Sequence, residues 1–375
     1  MSNVIAFIKK EPVLIAACLL AVVSAFFVTP DAEYKGYIDF RTLSILFCLM
    51  TVVAGLRGIG LFDILAGKLL SKVGSVRQLM LIPVLMCFFL SMLITNDVAL
   101  ITLVPFTYTV LDMAGEDRCK KLIIQLTAME TIASNLGSML TPLGNPQNLY
   151  LFGKSDMSIG SFVALMLPYS ILSLGMLLAW IILSTFRKNE KIKIKLNDVY
   201  ALSSKKLAIV YLILFAVCLL CVLRVIHYFV SLFVVLIVVL LFDRKNLLKV
   251  DYSLLATFVG FFIFIGNMGR IEWFREFLQG IISGREVITS VLSSQIISNV
   301  PAALLLSGFT SDIKSLIIGT NFGGLGTLIA SMASLISFKQ LSVKCFEHKK
   351  RYIFCFTISN VIFLIIMLLL WFIIV

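Results

Sequence analysis

Ser134-Asn135-Leu136-Gly137-Ser138-Met139-Leu140-Thr141-Pro142 interrupts an apolar stretch, and its design returns as Thr320-Asn321-Phe322-Gly323-Gly324-Leu325-Gly326-Thr327-Leu328. Both copies keep Asn-x-Gly-x-x-x-Thr, where small and polar residues weaken an uninterrupted helix. The backbone is expected to open there. Upstream of each copy lies another polar interruption, Thr95-Asn96-Asp97 before the first and Ser298-Asn299-Val300-Pro301 before the second. Two broken elements in each half point to a transport site.

The surrounding composition sets the solvent. With 60% hydrophobic and 14% charged residues among 375, the chain cannot hide its apolar content in a water-soluble globule. It reads as an all-α polytopic membrane protein. The net charge of +12 does not indicate nucleic-acid binding, because the cations sit between apolar runs as topology requires. The 8 cysteines show neither metal-ligand spacing nor a disulfide framework, and Cys218-x-x-Cys221 lies inside an apolar helix. No metal or other cofactor is expected.

Spans are predicted near 13–29, 40–56, 121–152, 160–185, 207–223, 228–242, 252–269, 315–337 and 352–374, the third and eighth being the broken helices. Residues 78–113 and 287–311 read as re-entrant hairpins, each with two apolar limbs around a polar tip. With the amino terminus cytoplasmic and the carboxyl terminus external, only Lys35, Arg41, Lys154, Arg224, Arg270, Arg275, Arg285 and Lys314 remain outside. That bias follows the positive-inside rule.

Asp39-Phe40 to Leu61-Phe62 matches Asp251-Tyr252 to Trp273-Phe274 in hydropathy. Amphipathic segments at 61–73 and 271–282 follow, then a hairpin, a broken helix and a last span. The expected organisation is a first inverted repeat at 1–186, a basic cytoplasmic linker at 187–206 and a second inverted repeat at 207–375. Span 207–223 is extra and lets the second half begin from the cytoplasmic side.

Opened helices facing hairpin tips expose backbone carbonyls and amides at membrane depth, which is costly except around a cavity or solute. Helix carbonyls with the side chains of Asn96, Asp97, Ser134 and Asn135 suit a small cation. The region of Gly137 belongs to the same group, with Ser298, Asn299, Asn321 and Gly323 in the second half. Restarting helix N-termini suit an anion, placed at Thr141, Pro142, Gly144 and Asn145 in one half and at Pro301, Gly326 and Thr327 in the other, with Asn96 and Asn299 shared. Asp97 is the sharpest candidate, because a carboxylate at a re-entrant tip binds a cation or takes a proton. Glu130 is a second candidate proton site. No lysine or arginine is expected in the cavity. Gly-rich helix crossings that only permit close packing are the plainer alternative, which duplication opposite a polar tip argues against.

At these motifs the sequence resembles the ion transporter superfamily of divalent-anion symporters, citrate permeases, arsenite permeases and sodium/proton antiporters. Thr95-Asn96-Asp97-Val98-Ala99 resembles its first hairpin tip, and Ser134 to Ser138 with Thr141-Pro142-Leu143-Gly144-Asn145-Pro146-Gln147-Asn148 its first broken helix. The resemblance implies an elevator-type homodimer in which Asn96 and Asn299 bind sodium and solute. Sodium-dicarboxylate members carry Ser-Asn-Thr at both tips, whereas Asp97 and Val300 stand here in third place, as in the arsenite-permease and antiporter branch for the Asp. The expected function is sodium- or proton-coupled transport of a small inorganic or carboxylate anion across a prokaryotic inner membrane. Sodium/proton antiport through Asp97 and an ion channel are the alternatives. An enzyme is not expected, since no H-E-x-x-H, G-x-S-x-G or P-loop occurs.

Overall fold

The polar interruptions fall in two successive series of helices. The structure, a computed structural model, describes residues 11–186, 190–192 and 201–374, with all their side chains except those of 116–118, 120 and 121. The first series is α1 Pro12–Phe27, α2 Tyr34–Tyr37, α3 Phe40–Gly58, α4 Leu61–Leu70, α5 Val76–Leu90, α6 Asn96–Met113, α7 Glu116–Ser138, α8 Pro146–Lys154 and α9 Ile159–Thr185. The second is α10 Lys205–Val222, α11 Tyr228–Asp243, α12 Tyr252–Arg270, α13 Glu272–Ile282, α14 Glu286–Ile297, α15 Asn299–Leu306, α16 Ile313–Gly323, α17 Met332–Lys344 and α18 Lys349–Ile374. Short 3-10 turns at Arg244–Lys249 and Phe346–His348 precede α12 and α18. Among the described residues there is no strand, only an isolated bridge between Ser75 and Lys191.

Local chemistry sets these limits. Asp39 accepts from Thr42 N at 2.9 Å and Asp251 from Leu254 N at 3.0 Å, capping α3 and α12 at their free amides. Pro146 opens α8, where the missing N–H costs nothing. Helices Phe40–Gly58, Ile159–Thr185, Lys205–Val222 and Tyr252–Arg270, and the segment Phe346–Ile374, are long and apolar enough to cross a bilayer. Large side chains such as Phe26, Leu183, Leu241 and Phe372 point outward, an apolar exterior suited to lipid. The protein is an integral membrane protein.

The expected hairpin at 287–311 consists of 12-residue α14 and 8-residue α15. At 1.5 Å per residue they rise about 18 and 12 Å, short of the roughly 30 Å hydrocarbon core. The expected helix at 121–152 starts earlier, at Glu116, and opens between Ser138 and Pro146. Its counterpart opens between Gly323 and Met332.

Long helices from the two series pack across each other. α1 precedes α3 but lies along α12, where Gly260 faces Ala17 and Asn267 Nδ2 donates to Ser24 Oγ at 3.0 Å. α11 precedes α12 but lies along α3. The Tyr211 ring of α10 lies over Gly55, leaving no room for a side chain there, and Asn246 Nδ2 donates to Thr51 O at 2.7 Å. In the expected linker, Val76 N donates to Glu190 O at 3.1 Å, tying it to the start of α5; positions 187–189 and 193–200 lie outside the described residues.

Candidate solute and ion site

Each hairpin tip ends in a helix whose first amide finds a carbonyl of the opposing break. Asn96 N donates to Gly144 O at 3.1 Å, and Asn299 N donates to Ala330 O at 3.0 Å. Gly144 and Ala330 stand two residues before Pro146 and Met332, the first residues of α8 and α17. The same sequence interval separates Asn135 from Asn321 and Gly144 from Ala330, so the contacts are equivalent.

Within each break, side chains satisfy backbone groups that the lost helix turns leave unpaired. In the first, Thr141 Oγ1 reaches Met92 O at 2.5 Å, and Asn148 Nδ2 donates to Ser138 O and Thr141 O, each at 3.3 Å. Asn145 Nδ2 donates to Ser138 Oγ at 2.6 Å, and Ser138 Oγ to Asn135 O at 2.8 Å. In the second, Gln295 Nε2 donates to Gly323 O at 3.2 Å and Leu325 O at 2.9 Å. A side chain on Gly137 or Gly144 would strike the backbone of Phe88 or Ser138, so both glycines serve close approach.

Asn135 joins the halves. Its Oδ1 accepts from Asn96 Nδ2 at 2.9 Å and Ser331 Oγ at 3.0 Å, while its Nδ2 donates to Gly324 O at 3.3 Å. Ser134 Oγ donates to Asn96 O at 2.9 Å. Asn321 makes the converse crossing, donating to Asn148 Oδ1 at 2.7 Å.

Two cavities meet at this junction. The smaller, about 60 Å³, is lined by both tips (Asn96, Asp97, Ser298, Asn299, Val300 and Pro301), by Asn145, Pro146 and Gln147 at the start of α8, and by Ser331. Among the described residues its charged lining is acidic, from Glu11, Asp97 and Asp251. The larger, about 230 Å³, runs from Thr95, Asp97 and Asn145 to Arg57, Lys249 and Asp251. Asp97 Oδ1 and both amide atoms of Gln147 are buried without a hydrogen-bond partner among the described residues. Such groups are costly to desolvate unless a ligand meets them.

The structure thus brings Asn96, Asp97, Asn145, Ser298, Asn299 and Pro301 to the cavity lining. Ser134, Asn135, Gly137, Thr141, Gly144, Asn321 and Gly323 stand behind it as supporting groups, and Pro142 is buried in the loop. Glu130 lies elsewhere, fully buried on α7 against α6, with Thr107 Oγ1 donating to its Oε1 at 2.5 Å.

Two expectations are corrected. The second restarting helix begins at Met332 rather than near Thr327, because Gly326 takes a left-handed φ of 102° and Gln295 Oε1 captures Thr327 N at 2.9 Å. Gly326 and Thr327 therefore do not stand at a helix N-terminus. The cavity also does contain cations. Arg57 and Lys249 were legible only as loop charges, and packing of the end of α3 against the turn before α12 brings them together. Gln147, Asp251 and Ser331 were missed as site residues; extending the internal match past Thr327 would have paired Ser331 with Asn145.

A polar crossing of this kind inside an apolar helical chain belongs to proteins that carry solutes across membranes, and the relatives agree. An uncharacterized transporter of Methanocaldococcus jannaschii is 33% identical over 310 residues, covering 82% of this chain and 82% of that protein. The inner membrane protein YbiR of Escherichia coli is 30% identical over 325 residues, covering 86% and 85%. A silicon efflux transporter of Oryza sativa is 32% identical over 150 residues, covering 40% of this chain and 29% of its own. The chain belongs to the citrate transporter family, whose model matches residues 4–313. It is a transporter, not an enzyme.

Proposed function

We propose that the protein is an ion-coupled secondary transporter that moves a small inorganic or carboxylate anion by alternating access. The carrying observation is the duplicated contact of Asn96 N with Gly144 O and Asn299 N with Ala330 O around one cavity. In this reading the halves 1–186 and 207–375 are inverted repeats joined by the linker at 187–206, and the tips are re-entrant. Hairpins and broken helices move together as an elevator against the long helices, within a homodimer of the prokaryotic inner membrane. The amino terminus is cytoplasmic and the carboxyl terminus external.

Asp97, Asn96, Asn299 and Ser298 hold the coupling ion, sodium or a proton, with Asn135 fixing Asn96 and Asn321 fixing Asn148 behind them. The acidic lining of the smaller cavity suits a cation, and Arg57 and Lys249 in the larger one suit the anion. The start of α8, where Asn145, Pro146 and Gln147 line the smaller cavity, turns the positive end of the helix toward the solute. The buried, unpartnered Asp97 Oδ1 favours sodium/proton antiport as the second reading.

Flux in proteoliposomes tests the proposal with citrate, succinate, phosphate and silicic acid under imposed sodium or pH gradients. Saturable, gradient-driven anion uptake is expected. Sodium-driven proton movement with no anion carried would establish the antiporter instead, and non-saturating conductance a channel. Asp97→Asn is expected to lower coupled flux about 10–100-fold, the usual cost of losing an ion ligand or its support. Unchanged coupling would remove Asp97 from the mechanism.

A further inference from the structure

We propose that Gln147 is the residue that selects the solute, and that it does so by reading a hydroxyl group. Gln147 is fully buried in the first turn of α8 and lines the smaller cavity. Its neighbours in the same motif are committed: Asn145 to Ser138, and Asn148 to Ser138, Thr141 and Asn321. Gln147 Oε1 and Nε2 have no partner among the described residues. An amide left with an acceptor and donors together is met by a group that both donates and accepts.

The cavity narrows the choice. A fully ionised carboxylate only accepts, leaving Oε1 unmet, and it would enter among Glu11, Asp97 and Asp251 with no cation among the described lining residues. A bare cation would leave Nε2 unmet. A hydroxyl satisfies both ends of the amide without adding charge. The solute therefore presents a hydroxyl, on carbon or on an oxyacid centre, toward α8, while any carboxylates lie toward Arg57 and Lys249 in the larger cavity. This inference rests on the transport reading above and assigns the solute class within it.

The test compares citrate with tricarballylate, which keeps three carboxylates and lacks the hydroxyl, in proteoliposomes of wild type and Gln147→Met. Wild type is expected to prefer citrate in kcat/KM by about tenfold or more, since a site built to bond a hydroxyl rejects the analogue without one. Gln147→Met is expected to bring the ratio near one by lowering the citrate value, with tricarballylate changed less than about twofold. Its melting temperature in detergent should not fall, because the substitution removes an unpaired buried amide while keeping side-chain length. A wild type that carries both acids equally, or a ratio unchanged in Gln147→Met, overturns the inference and leaves anion transport standing. If wild type carries silicic acid and no anion, the anion reading fails by itself. Silicic acid flux then decides for Gln147: loss in Gln147→Met supports the role, and retention overturns it.

Discussion

The two crossings share a backbone frame and differ in chemistry. Both tips donate their first helical amide to a carbonyl of the opposing break, and both breaks lie beside an Asn that reaches the other half. The side chains diverge in one direction. Asp97 corresponds to Val300, Asn145 to Ser331, Gln147 to Ala333 and Ser138 to Gly324. Beyond the shared backbone contact and the bridging Asn, the first break is held by Thr141, Asn145 and Asn148 and the second by Gln295. Asp97, Asn145 and Gln147 have no counterpart of the same chemistry at the matching positions of the second crossing.

The sharpest way to break this comparison is to remove the two bridging asparagines separately. Asn135→Ala orphans Asn96 Nδ2, Ser331 Oγ and Gly324 O together, and each buried group left unpaired costs about 1–3 kcal/mol. Asn321→Ala loses the bond to Asn148 Oδ1, while Ile317 O is left with its ordinary helical surroundings. The first variant should therefore melt clearly below the second in detergent. Equal losses would mean that the crossings are held symmetrically.

Much of this frame was legible in the sequence because it depends on interruptions of apolar runs. Asn135, Gly137, Asn321 and Gly323 announce the breaks, and lengths alone separate the short limbs of α14 and α15 from helices such as α9. What escaped depends on three-dimensional packing. Arg57 and Lys249 are far apart in sequence, and a methyl group on Gly58 would lie 3.0 Å from Lys249 Nζ, so only folding shows that this ammonium covers the end of α3. Gln147 looked like a member of a polar run, and its want of a partner appears only once Asn145 and Asn148 are seen to be engaged. The restart at Met332 was displaced from Thr327 by Gln295, a residue of the neighbouring hairpin that no local pattern links to the break.

The glycines beneath the two asparagines provide a smaller contrast. A Cβ on Gly137 would meet the backbone carbonyl of Phe88, which cannot move without shifting α5. A Cβ on Gly323 would meet chiefly the Ser294 side chain, although Ser290 O stands 3.2 Å away. Both substitutions should cost about 1–3 kcal/mol by overpacking, since Phe88 O at 2.0 Å and Ser294 Cβ at 2.6 Å are each carried by a helix backbone, with Gly137→Ala, the closer contact, costing more. Thermal unfolding of both variants checks the order. A larger loss at Gly323 would make the second break the tighter one.

The least effect is expected at the ends of α3 and α12, two helices of equal length that each carry an Arg near the carboxyl end. Arg270 is engaged, with Nη1 2.7 Å from Asp31 Oδ2, 3.5 Å from Glu33 Oε2 and 3.2 Å from Tyr37 OH. Arg57 makes no ion pair among the described residues, feels Asp63 only through its field, and lines the larger cavity with Lys249. Arg57→Gln should raise KM for a carried anion about two- to threefold, as loss of one charge at a solvent-exposed rim does, and high salt should reduce the difference. Arg270→Gln should leave KM unchanged. Its trace is in stability: the Arg270 hydrogen bond holds the Asp31 carboxyl below the usual carboxylate range, so the contribution is present above that range. It disappears as pH falls through the lowered value and Asp31 takes up a proton in both states. Equal KM shifts in the two variants would mean that neither charge meets the solute, and that both act only in setting the orientation of the chain.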